Sequence, residues 1–147
     1  MHQLLARAIE TICLNRDDGE WESLDEEVLA AVVAEFGENG LVDADRLFGE
    51  IPRQVPYEVV CDLFDLLAWR TDDNGASMTR TTDEWLREGK DVRKLRIALG
   101  LEVFPFLDKA EMHEVLSRLA ETHSVIAYRC HELIGNRARM SGNSQSD

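Results

Sequence analysis

Apolar residues recur at spacings of three and four along almost the whole chain, and no stretch of comparable length alternates apolar with polar residues. An α-helix imposes that period, because about 3.6 residues complete a turn, whereas a half-buried strand repeats every second residue. Leu4, Leu5, Ala8, Ile9, Ile12 and Cys13 form the first such face, which stops near Asn15 to Gly19. Ser23 with Glu26 has capping-box spacing and opens a second helix carrying Val28, Leu29, Val32, Val33 and Phe36, closed by Gly37 and Gly40. A short helical turn follows around Asp43 to Phe48, then Pro52 and Pro56.

Pro56 opens a helix from Tyr57 to Arg70, and Thr71-Asp72-Asp73-Asn74-Gly75 closes it as a loop. Further helices are expected from about Thr79 to Glu88 and from Asp91 to about Val103. After Pro105, Asp108 and Glu111 make a second capping signature, and the apolar pattern runs from Met112 to Ile134 as one long helix. Past Gly135 the pattern is lost. The expected fold is therefore all-α: a single-domain bundle of six or seven amphipathic helices over residues 1–135, with a long C-terminal helix and a flexible, disordered tail over 136–147.

No apolar run reaches the roughly 20 residues that span a bilayer, and the segment from Met1 to Arg7 lacks the basic and apolar regions of a signal peptide. No membrane contact and a cytoplasmic location are expected. Cys13, Cys61 and Cys130 are an odd, widely spaced set, the latter two inside apolar helical patterns, and they read as reduced structural residues.

The net charge of −13 becomes informative when the chain is divided. Residues 1–74 hold 18 acids and 5 bases, whereas residues 75–147 hold 11 of each. A one-signed surface attracts basic partners and repels nucleic acid and anionic lipid. The basic segment of Arg87, Lys90, Arg93, Lys94 and Arg96 is expected to pair with the acidic half, within the chain or across a dimer, because the overall charge opposes nucleic-acid binding.

Motifs with chemistry of their own fail on spacing. His131-Glu132-Leu133-Ile134-Gly135 starts as a zinc-protease helix but has Gly where the second His belongs. Aligning Gly75 with the central glycine of a calcium loop puts Arg70 in the first ligand position and Thr81 in the last, which rejects calcium. Cys130 and His131 are consecutive and diverge by about 100° on a helix. His123 falls on the apolar side of the last helix and reads as an imidazole satisfied by a neighbouring carbonyl or carboxylate, or as the place where that helix breaks, near Thr122 to Ser124. No catalytic residue, metal or cofactor is expected.

The candidate site lies on the helix from Tyr57. At about 100° per residue, Asp62, Asp65 and Asp72 fall within about 40° of Glu58, and Trp69 within about 20°. Val59, Val60, Leu63, Phe64 and Leu67 centre on the opposite side. An indole pointing away from its own helix's apolar face needs another partner, and Trp is prominent among residues that dominate protein interfaces. Glu58, Asp62, Asp65, Trp69, Asp72 and Asp73 are thus expected to bind a basic protein. The expected function is that of a non-enzymatic acidic module, an inhibitor or immunity-type protein that neutralises a basic toxin or nuclease-like partner by occlusion. Two alternatives are a homo-oligomeric structural or regulatory protein and a small-ligand-binding or enzymatic bundle using His123.

Overall fold

A computed structural model describes residues 1–18 and 25–145, excepting the side chains of residues 18 and 141–145. The protein is all-α, with helix the dominant structure among the described residues. Among the described residues there are eight helices and one two-stranded hairpin, in the order α1 (Gln3–Asp18), α2 (Glu26–Glu35), β1 (Gly37–Glu38), β2 (Leu41–Val42), α3 (Ala44–Glu50), α4 (Tyr57–Ala68), α5 (Ala76–Glu88), α6 (Val92–Gly100), α7 (Lys109–Thr122) and α8 (Ser124–Gln145). No described helix is long and apolar enough to cross a membrane. The chain divides within α5 into two compact units, Met1–Thr81 and Thr82–Asp147.

In the first unit α1, α2 and α4 pack on one another. Their apolar faces supply its core: Leu5 and Ile12 from α1, Val32 from α2, and Leu63 and Leu67 from α4 are fully buried. Helix starts are chemically specified. Asp25 accepts the Val28 amide at 3.2 Å to cap α2, and Asp43 accepts the Arg46 amide at 3.1 Å to cap α3; a carboxylate there satisfies an otherwise orphan N–H and suits the positive end of the helix dipole. Ser23, expected to cap the second helix, lies outside the described residues.

The hairpin is the element the helical pattern did not foretell. Gly37 pairs with Val42 and Glu38 with Leu41, and the Asp43 amide extends the ladder by donating to the Phe36 carbonyl at 2.8 Å. Asn39 and Gly40, with φ of +55° and +77°, provide the two left-handed residues that a type I′ turn requires. Gly37 sits so close to the opposite strand that a Cβ there would overlap the Leu41 carbonyl oxygen.

In the second unit α7 and α8 lie along each other and α6 packs on α8. The pattern from Met112 to Ile134 is therefore not one helix: it breaks at His123, an extended residue with φ −129° and ψ 90° that ends α7. The break lets two halves of one apolar pattern pack face to face, burying Met112, Leu116 and Leu119 with Ile126, Cys130 and Leu133. Beyond Gly135, α8 keeps helical backbone to Gln145. Arg137 explains part of that continuation, since its guanidinium donates to the carbonyls of Pro105 (3.1 Å), Phe106 (2.7 Å) and Leu107 (2.8 Å) in the loop before α7.

Candidate functional site

Helix α4 positions the candidate residues. Pro56 sets its start, and its last turn tightens as the amides of Arg70 and Thr71 donate to the carbonyls of Leu67 and Ala68. Val59, Val60, Leu63, Phe64 and Leu67 face the core, which leaves Glu58, Asp62, Asp65 and Trp69, spaced by three and four, on the other side. Trp69, the C-cap, is 70% exposed.

The carboxylates are not equivalent. Glu58 is exposed. Asp62 is half-buried and paired with Arg16 of α1; that hydrogen bond, reinforced by the carboxylate's charge and by Glu58, holds the guanidinium above its ordinary pKa. Asp65 is half-buried and is itself engaged by the protein. Asp72 is exposed, and its amide donates to the Gly40 carbonyl at 2.9 Å, which fastens the hairpin tip to the loop after α4. Asp73 turns inward: its carboxylate accepts the amides of Gly75 (3.1 Å) and Ser77 (2.8 Å) and so caps the entry to α5.

Glu58, Trp69 and Asp72 thus form the exposed part of the set. Asp62 and Asp73 serve the fold, the first as an ion-pair partner and the second as a turn and cap residue. Arg16 was out of reach of a helical-wheel argument, because it lies 46 residues from Asp62 and on another helix.

Other arginines of this unit are also committed locally. Arg70 forks onto Glu26 at 2.8 and 2.5 Å, and this hydrogen bond holds the Glu26 carboxyl below its usual range. Arg7 meets Asp25 at 3.7 Å, and Arg46 meets Glu35 at 3.6 Å. With 18 acids against 6 bases in Met1–Thr81, these pairs leave a large negative excess.

The hairpin adds a feature that sequence reasoning missed. An open groove of about 600 Å³ is lined by Phe36, the hairpin residues Gly37, Glu38, Asn39, Leu41, Val42 and Asp43, Arg46 of α3, and Ser77 and Thr81 of α5. The signal that could have found it is Asn39-Gly40, the strongest short hairpin dipeptide.

Two side chains of the basic segment have neighbours within the second unit. Arg87 pairs with Glu111 and Glu84, both at 3.1 Å, and stacks 4.9 Å from the Phe106 ring; Lys94 lies 5.3 Å from the Trp85 ring. These partners all belong to the second unit. Glu111, expected to complete a capping box with Asp108, spends its carboxylate on Arg87, while Asp108 caps α7 through the Ala110 amide at 2.9 Å.

His123 is half-buried, with Nε2 donating to the Gly89 carbonyl 2.8 Å away. All three cysteines are free thiols, and burial pushes Cys130 up to about 11, away from nucleophilic reactivity. Among the described residues no group of three or more His, Cys, Asp or Glu side chains is arranged to hold a metal ion.

Fold and site together define an all-α protein with one strongly acidic unit that exposes an indole. No protein-family model, curated protein or solved structure matches the chain.

Proposed function

We propose that this is an acidic protein-binding module that neutralises a basic partner, of the toxin or nuclease-like kind, by covering its working surface. The observation that carries the reading is the exposure of Trp69, with Glu58 exposed on the same helix about three turns earlier and Asp72 exposed in the loop that follows, in a unit with 18 acids and 6 bases. A solvent-facing indole loses little conformational entropy on docking and contributes a large apolar area, while surrounding acids accelerate encounter with a basic surface. Occlusion needs no chemistry of the module's own, and a cytoplasmic location goes with the reading.

The test is capture on the immobilised full-length chain from an extract of its native host, followed by purification of the bound protein and comparison with Trp69→Ala. The reading requires a basic protein whose activity falls stoichiometrically on mixing, and whose affinity drops at least about tenfold with the variant. A neutral or acidic partner, or a partner left active in the complex, contradicts it.

A second reading, homo-oligomerisation, draws on α8, where Val125 and Tyr128 stand one turn apart and are 56% and 80% exposed. Sedimentation equilibrium of the wild type and Tyr128→Ala decides it: the reading requires a dimer that the substitution dissociates.

A further inference from the structure

The groove beside the hairpin has a chemistry of its own. Its volume of about 600 Å³ lies within the roughly 300–1,000 Å³ typical of ligand sites. Phe36 and Val42 are buried beneath it, and Leu41, half-buried, is the apolar side chain that stays open to it. Around them stand the Glu38 and Asp43 carboxylates, the Asn39 amide, and the Ser77 and Thr81 hydroxyls one helical turn apart on α5. Acceptors therefore surround one small apolar patch.

Arg46 is the one basic side chain of the lining, and it is already neutralised. Its guanidinium lies 4.9 Å from the Phe36 ring centroid, donates to the Glu35 carbonyl at 2.6 Å and meets the Glu35 carboxylate at 3.6 Å. Glu35 is not part of the lining, so the charge that remains in the groove is that of Glu38 and Asp43. Asp43 uses one carboxylate oxygen to cap α3, and an ionised carboxylate has about four acceptor positions. An anion is disfavoured by this field. A side chain with a methylene stem for Leu41 and several N–H donors for the surrounding acceptors fits it, and arginine has both.

The hairpin that lines the groove is also tied to the loop that follows the exposed indole, because the Gly40 carbonyl accepts the amide of Asp72, three residues from Trp69. We infer that the groove is the receptacle for an arginine side chain of the basic protein partner, so that the interface extends from Trp69 across the hairpin tip into the cleft between the hairpin and α5. The inference rests on the reading of this unit as a docking surface for a basic protein.

The test uses the full chain and a defined probe, the peptide acetyl-Gly-Arg-Gly-amide, against its isosteric neutral counterpart with citrulline in place of arginine. Backbone amide shifts are followed by NMR during titration at low salt. Saturable shifts at residues 37–43, 77 and 81 are expected, with at least about tenfold weaker binding of the citrulline peptide. The double variant Glu38→Gln with Asp43→Asn should abolish them; Asn is as good a helix cap as Asp, so the variant keeps α3, and its amide spectrum reports that directly. The double variant Glu58→Lys with Asp72→Lys should leave them in place. Shifts confined to the surroundings of Trp69 and Asp72 would overturn the groove assignment while leaving the acidic surface as the docking site. Non-saturable shifts spread over all acidic residues, or groove shifts that persist in Glu38→Gln with Asp43→Asn, would also overturn it.

Discussion

The amide of Asp72 donates to the carbonyl of Gly40 at 2.9 Å, joining the loop after α4 to the tip of the only hairpin among the described residues. The contact is tight: a Cβ on Gly40 would lie 2.2 Å from an Asp72 carboxylate oxygen, and the glycine's φ of +77° disfavours any L side chain there. The loop that follows Trp69 and the hairpin that lines the groove are thereby fastened to each other. Gly40→Ala should destabilise the protein by about 1–3 kcal/mol and, at temperatures where it remains folded, weaken partner binding; urea unfolding and calorimetry measure the two effects separately.

Trp69→Ala separates binding from folding most cleanly. An indole that is 70% exposed contributes little to the core, so stability should change by no more than about 0.5 kcal/mol. Affinity for the captured partner should fall by about 2 kcal/mol or more, mainly through faster dissociation. A large drop in melting temperature would show that the residue supports the fold instead.

Asp73→Ala should do the opposite. The carboxylate accepts the amides of Gly75 and Ser77, and its removal leaves the start of α5 uncapped at a cost of about 1–2 kcal/mol. Partner affinity, corrected for the folded fraction, should be unchanged.

Arg137→Lys is expected to be poorly tolerated. The fork of the guanidinium reaches three successive carbonyls, including that of Phe106, which has a left-handed φ of +63°. An ammonium cannot span them, and the loss should be about 2 kcal/mol with faster amide exchange across residues 104–108. Unchanged exchange in that loop would remove this account of its rigidity.

Asp83 gives a pH signature. Burial raises its carboxyl above the ordinary value of 3.8, partly offset by the Phe106 amide, which donates to it at 3.1 Å, and by Arg87. Because the folded state holds the proton more tightly than the unfolded chain, the contribution is full below the ordinary value and is lost as pH rises through the folded-state value. Asp83→Asn keeps an acceptor for Phe106 and removes the titration. It should therefore gain stability relative to wild type between pH 4 and pH 7, measured as the difference in urea midpoints; a difference independent of pH contradicts the assignment.

Helix positions were legible because each has a one-sided apolar face and most have a local start signal such as Pro56, Asp91 or Asp108. The direction of Trp69 could be read for the same reason. Contacts between elements could not: the pairing of Arg16 with Asp62 depends on how α1 lies on α4, and the choice of Glu111 between its own helix start and Arg87 depends on a residue 24 positions away. The break at His123 was hidden because the apolar spacing continues on both sides of it, although the sequence marks Thr122 to Ser124 as a possible interruption. The hairpin escaped because its strands have two residues each, too few to show alternation.

On the proposed reading, the acidic surface that exposes Trp69, Glu58 and Asp72 draws in a basic protein. The most direct test is the association rate constant with the partner purified from the host, measured at low and physiological salt for wild type and for Glu58→Lys with Asp72→Lys. The wild-type rate should fall about tenfold or more as salt rises, and the variant should be slow at low salt and nearly insensitive to it. Equal rates for the two proteins at low salt would contradict it.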